Sequence, residues 1–358
     1  MLPGRSLKGA FPWKRQLVSL PPGEKRMVAP IFSPNLGYHL MEAASWMRDL
    51  HSYDPRARRT RLAGPTTVQI QTIDRCNATC IMCPYSYAAR PAAANPMEDA
   101  LYLKILNELR RTGTVRHVLL MLQNEPLLDQ KLADRVRLAK ELLGRRVLTG
   151  TVTNGAPLTQ GMIDRLSAGG IDYVSVSIDA IREDTFARIR RGLDYNRVVE
   201  NTLALCKHLG PARVSVRFLR QRENEGEEET FAQFWRSRGI RVVFMEPTNR
   251  TGLVPFFERI RKPHPRLWKK LAYPILNRFV SACPYPFSRM SVLSDGRVIV
   301  CCNDWGPRDT IGDLSRQTLQ DVWNGEKANR YRQLLWTHRV RESPVCADCS
   351  LSGYYWKI

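Results

Sequence analysis

Cys76-Asn-Ala-Thr-Cys80-Ile-Met-Cys83-Pro84 follows an apolar run from Thr66 to Ile73, and its three cysteines stand three and then two residues apart. Three thiolates on one tight loop can hold three irons of a cubic cluster. They leave the fourth iron open to a ligand from outside the protein. Thiolates also suit zinc, but a closed structural zinc site takes four ligands, and no partner for a fourth lies nearby in the sequence. A redox motif or a partial zinc site is the plainer alternative.

From Thr66 onward, short apolar runs alternate with amphipathic stretches of helical period. The pattern predicts strands over 66–73, 116–122, 146–152, 171–178, 213–218 and 240–245. Helices are expected over 97–112, 128–143, 158–169, 184–208 with a break near Gly192, and 227–238. Strand-helix alternation repeated six times argues for an α/β fold, a partial (β/α)6 TIM-like barrel two units short of a closed ring of eight. Its functional groups belong at the carboxyl ends of the strands. The polar motifs fall there: the cysteines after the first strand, Gln123-Asn124-Glu125-Pro126 after the second, Thr153-Asn154-Gly155 after the third, and Ser177-Ile178-Asp179 at the fourth. Singly these are turn or cap chemistry. Together at one rim they mark a site.

A second set of cysteines follows. Cys283 precedes a hairpin signal whose turn is Asp295-Gly296, then come Cys301-Cys302, a helix around 319–336 and Cys346-Ala-Asp-Cys349. Four cysteines make a complete ligand set for either zinc or an iron-sulfur cluster. Cys206, within a predicted helix, reads as a buried small hydrophobe. The chain thus divides into an extension over 1–62 with one helical stretch at 38–50, a barrel over 63–250, a connecting segment over 251–282 with a packing helix near 266–281, and a small α+β unit over 283–358.

Hydrophobic residues at 43% and charged residues at 25% are ordinary for a globular protein. No run of eighteen apolar residues marks a membrane span, and the first residues carry no signal-type apolar core. An odd number of cysteines at metal-ligand spacing points to a reducing compartment, so a cytoplasmic protein is expected. The net charge of +21 suits an anionic substrate, although the arginines are scattered and no aromatic-basic pattern marks a nucleic-acid groove.

The Cys76, Cys80, Cys83 loop resembles the signature of the radical S-adenosylmethionine (radical SAM) enzymes. In that family the open iron binds the amino and carboxylate groups of the cofactor. Gln123 to Pro126 resembles the family's Gly-Gly-Glu-Pro motif, with Glu125 kept and two glycines replaced, so Gln123, Asn124, Glu125 and Pro126 are expected at the cofactor's ammonium. The resemblance also implies cofactor contacts from Thr153, Asn154, Ser177 (a ribose hydroxyl), Asp179, Arg191, Met82 (where the family usually has an aromatic residue near adenine) and Tyr85. The order Cys283, Gly296, Cys301, Cys346, Cys349 resembles a reduced SPASM or "twitch" auxiliary domain holding a second [4Fe-4S] cluster, which makes Cys301 the ligand and leaves Cys302 spare. The resemblance implies reductive cleavage of S-adenosylmethionine to a 5′-deoxyadenosyl radical, which takes a hydrogen atom from the substrate. A four-thiolate auxiliary cluster favours oxidation of a sugar, aminocyclitol or nucleoside in natural-product tailoring, with an electron donor such as flavodoxin or ferredoxin as partner. A peptide maturase is the alternative. A non-enzymatic iron-sulfur or RNA-associated protein explains the charge but not the open triad. Cys302 and Asp304 are candidates by residue type for the catalytic hydrogen or proton transfer.

Overall fold

Each of the six expected apolar runs forms a strand: β1 Thr67–Ile70, β2 His117–Leu119, β3 Leu148–Thr153, β4 Tyr173–Ser177, β5 Val214–Leu219 and β6 Arg241–Met245. The computed structural model describes residues 62–87, 96–261 and 283–350, and the helices expected over 38–50 and 266–281 lie outside them. Every strand pairs parallel with its predecessor. The crossovers are helical: α1 Asp99–Thr112, α2 Leu132–Leu143, α3 Gln160–Ala168, the pair α4 Glu183–Ile189 and α5 Tyr195–Leu209, and α6 Glu228–Arg236. The break between α4 and α5 falls where Gly192 takes φ +86°, a conformation that side chains resist. Asp194 then restarts the helix, its carboxylate accepting the Arg197 N–H at 2.7 Å.

Alternation along the strands gives the sheet two unlike faces. Val68, Val118, Val174, Val176, Val216 and Phe218 are buried and share the helix-covered face, where Phe218 stacks on Phe231 of α6 with ring centroids 4.8 Å apart. The opposite face is mixed, carrying His117, Tyr173, Ser175, Ser215 and Arg217 beside Leu119, Val152 and Val243. A closed barrel fills that side with branched apolar side chains. This one is open. The Tyr173 ring lies across Gly150 so that its hydroxyl meets His117 Nε2, and a Cβ at position 150 would overlap the ring. Burial, and then the Arg289 charge, push His117 down to about 3, so its imidazole is neutral.

The sheet does not stop at the barrel. After the short helices α7 Phe257–Ile260 and α8 Tyr285–Ser288, β7 Arg289–Val292 pairs parallel with β1, giving the order β6-β5-β4-β3-β2-β1-β7-β8-β9. The expected hairpin joins β7 to β8 Arg297–Ile299 through Gly296 at φ +92°, and β9 Thr310–Asp313 completes the antiparallel edge. The single helix expected over 319–336 is two, α9 Leu319–Trp323 and α10 Glu326–Trp336. Asn324 separates them and bonds Leu62 through both its amide atoms. Thr318 and Asp321 form the capping box of α9. Cys206 lies on α5 as expected, half-buried rather than buried. No helix among the described residues is long and apolar enough to cross a membrane.

Gly150→Ala should lower stability by about 1–3 kcal/mol through overpacking against Tyr173. Gly161→Ala, whose Cβ meets nothing within 4 Å, should not. Urea midpoints at unchanged slope decide this; an equal response from both variants would show that Tyr173 does not lie over Gly150.

Candidate active site

The cysteine loop is held at its backbone before any metal is considered. Thr79 N–H donates to the Arg191 carbonyl at 3.0 Å and Ile81 N–H to the Ile189 carbonyl at 3.1 Å, so the loop is stitched to the chain leaving α4. A Cβ at Gly192 would stand 3.5 Å from the Asn77 carbonyl oxygen, so this glycine is needed chiefly for its positive φ. From β3, Asn154 Nδ2 donates to Asn77 Oδ1 at 2.7 Å. From β2, Glu125 N–H donates to the Arg75 carbonyl at 2.8 Å. Three strand ends therefore shape one loop.

Arg190 is the buried cation of this assembly. Its guanidinium pairs with Asp179 and points a second N–H at Cys80 Sγ, 3.7 Å away. Asp179 adopts φ +65°, which is uncommon for a non-glycine residue, and is fixed there by its Oδ1 accepting the Leu219 N–H at 2.7 Å and its carbonyl accepting Asn224 Nδ2 at 2.7 Å. Sequence reasoning singled out the neighbour, Arg191, whose side chain is exposed while its carbonyl holds the loop. Nothing in the residue types separates the two arginines. Only the positive-φ glycine after them hints that the chain here turns against another segment.

Glu125 is wholly buried and its carboxylate joins two strand ends. It accepts the Thr153 hydroxyl at 2.6 Å, the Asn154 N–H at 2.7 Å and the Leu127 N–H at 3.1 Å. Burial nevertheless pushes it up to about 7. Gln123 Nε2 donates to the Asp304 carbonyl at 2.8 Å, tying this rim to the loop after β8. Asn124 Oδ1 accepts the Leu122 N–H at 3.0 Å, and its Nδ2 is buried without a partner among the described residues. Pro126 opens a single turn, Pro126–Leu128. Ser177 is half-buried on the open face, in register with Arg217. Met82 and Tyr85, both half-buried, sit on the loop and on the turn Pro84–Ser86.

Near the second cysteine set, Cys301 and Cys346 pack on one cluster of Val300, Tyr331 and Val345. Cys302 packs instead on Leu122, Leu293 and Ile299, beside the rim. Asp304 is fully buried, its Oδ1 accepting the Arg308 N–H at 3.0 Å, and burial raises its carboxyl. Arg250 donates to Asn303 Oδ1 at 2.7 Å, anchoring the same loop to the segment after β6.

All nine cysteines are free. Burial pushes Cys76 up to about 12, Cys283 to about 12 and Cys346 to about 11. Cys302 is lowered, chiefly by a hydrogen bond from Cys301 and then by Arg250 and Arg289 against the cost of burial. Thiols this desolvated give up protons only to a strong local cation, which a metal cluster is. No three His, Cys, Asp or Glu among the described residues close round a single ion; a cubane cluster spreads its thiolates over separate irons and does not require it. The donor set fits clusters at both places.

Residues 70–263 match the family model described as the Radical SAM superfamily, and residues 283–350 match SPASM, an iron-sulfur cluster-binding domain. Among similar proteins, the S-adenosyl-L-methionine-dependent 2-deoxy-scyllo-inosamine dehydrogenase of Niallia circulans is 21% identical, over 79% of this chain and 92% of its own length. The tungsten-containing aldehyde ferredoxin oxidoreductase cofactor-modifying protein of Pyrococcus furiosus is 22% identical, over 79% and 86%. The crystal structure of BtrN in complex with AdoMet and 2-DOIA aligns with a TM-score of 0.56 at 19% identity, covering 80% of this chain and 93% of that one. SuiB of Streptococcus suis bound to precursor peptide SuiA aligns with a TM-score of 0.62 at 15% identity, covering 89% and 76%. At these identities the structures establish the fold.

Arg190→Ala leaves the Asp179 carboxylate buried without its cation and should cost about 3–5 kcal/mol. Pairing it with Asp179→Asn should recover most of that loss, because the charge goes with its partner. Urea unfolding of the metal-free protein measures both; a double variant as weak as the single one would mean that the pair does not hold the loop.

Proposed function

Because the chain belongs to the radical SAM superfamily and carries a SPASM iron-sulfur domain, we propose that it oxidises a polar small molecule of sugar, aminocyclitol or nucleoside type by removing a hydrogen atom from carbon. Its cofactors are S-adenosylmethionine and [4Fe-4S] clusters. When bound and reduced, they supply a 5′-deoxyadenosyl radical. In our assignment Cys76, Cys80 and Cys83 hold the first cluster with one iron open. Cys283, Cys301, Cys346 and Cys349 hold the second with every iron covered.

The residues around them position and shield. Arg190 orients Cys80 and brings positive charge to its sulfur. Thr153, Asn154 and Glu125 keep the rim rigid, which leaves the backbone of residues 123–125 and the Asn124 amide to meet the cofactor's ammonium and carboxylate. Ser177 takes a ribose hydroxyl, Met82 and Tyr85 flank the adenine, and Arg191 meets the cofactor from outside.

The observation that carries the oxidative reading is the pairing of β7 with β1, together with the Gln123 to Asp304 bond. In our assignment this would put the fully ligated second cluster at the same sheet end as the first, where it could accept the electron that an oxidation leaves behind. The dehydrogenase relative from Niallia circulans supports the same reading. A peptide maturase that epimerises is the second reading, favoured by the Cys302 thiol, which packs on Leu122 and Leu293 beside the rim and lies outside the assigned ligand set.

Anaerobic reconstitution should give about eight irons per chain, and about four in either Cys76→Ala or Cys283→Ala. Release of 5′-deoxyadenosine should vanish in Cys76→Ala and survive in Cys283→Ala. Four irons with one zinc would remove the electron sink; no iron at all sinks the proposal. Cys302→Ala separates the readings: an oxidase is indifferent, whereas an epimerase loses deuterium incorporation from solvent.

A further inference from the structure

The open face of the sheet carries a charge that the reading above does not use. Register places Arg289 beside Thr67 and Thr67 beside His117, then Gly150 beside Tyr173, Ser175 beside Ser215, and Ser215 beside Arg241. Residues paired in parallel register face the same way, as do residues two apart on one strand, so Arg217 joins them. None of β1 to β7 contains Asp or Glu. Three arginines thus share one face on which no strand residue is acidic.

Arg217 is the decisive one. Its Nε donates to Ser175 Oγ at 3.0 Å, and Ser215 donates to the same oxygen at 2.9 Å. It makes no ion pair among the described residues. The acidic groups it feels are the Tyr173 hydroxyl and then Asp179, which is already taken by Arg190, and the charges of Arg190 and Arg241 oppose its own. Burial accordingly holds its guanidinium below the usual arginine range. A half-buried guanidinium with no ion pair among the described residues carries a cost, and a fixed planar donor of this kind suits an oxyanion.

We propose that this face binds an anionic group, a phosphate or a carboxylate, held by Arg217 and Arg241. Arg217 is in register with Ser177, so the anion sits on the strand positions beneath the rim assigned above to the cofactor. Calling that anion part of the substrate rests on the radical SAM oxidation reading. The site itself does not. It narrows the polar small molecule to a phosphorylated or acidic one.

The test is calorimetric titration of the reconstituted, S-adenosylmethionine-bound protein with inorganic phosphate, pyrophosphate and acetate at fixed ionic strength. Saturable binding of at least one is expected, weakened at least tenfold by Arg217→Gln, by Arg241→Gln similarly, and less by Arg217→Lys. Preference for phosphate or pyrophosphate marks a phosphorylated ligand, and preference for acetate an acidic one. Thermal melts control for folding: Arg217→Gln, which removes a guanidinium with no ion pair among the described residues, should leave the midpoint unchanged or raised. Binding by none of the three, or binding equal in wild type and both glutamine variants, overturns the site and reassigns any affinity to the general +21 charge. Release of 5′-deoxyadenosine is measured alongside. Release without anion binding removes this proposal alone, and anion binding without release removes the radical reading and leaves the site.

Discussion

The backbone bonds from Thr79 and Ile81 to the 189–191 segment, with Arg190 clamped between Asp179 and Cys80, are the constraint on which the site depends. A loop of three thiols has no reason to keep one shape in water. Here it is formed by partners from the segment after β4 and α4, just before Gly192. The cost is concentrated at Asp179, held at positive φ and buried, and it is offset by a charged hydrogen bond and two backbone bonds. Glu125 does the corresponding job between β2 and β3.

The two faces of the sheet divide the labour. Valines and phenylalanines pack beneath the helices and supply the apolar burial that stabilises the fold. The other face keeps polar side chains because Gly150 leaves room for Tyr173 to lie flat. Extending the sheet through β7 adds a second cysteine set with its own cluster of Val300, Tyr331 and Val345, and the hairpin uses the free edge of β1. That edge would otherwise be exposed.

How much of this was legible depended on range. The six strands and their helices follow from local periodicity, and the glycine at 192 announced the break between α4 and α5. The cysteine sets and rim motifs followed from residue type and order. What escaped was non-local. Nothing in Arg289 to Val292 says that it pairs with a strand more than two hundred residues earlier. Arg190 and Arg191 are alike until their burial is known. The split at Asn324 comes from its bonds to Leu62, across the whole domain. Glu125 was expected at the cofactor, and its structural bonds are visible only once Thr153 and Asn154 are placed beside it.

The central claim is that the first cluster has one iron open to S-adenosylmethionine while the second has none. Electron paramagnetic resonance of the dithionite-reduced protein, recorded before and after adding S-adenosylmethionine, tests it most directly. One of two cluster signals should shift, and in Cys283→Ala the remaining signal should shift completely. Two signals that both ignore S-adenosylmethionine would contradict the account.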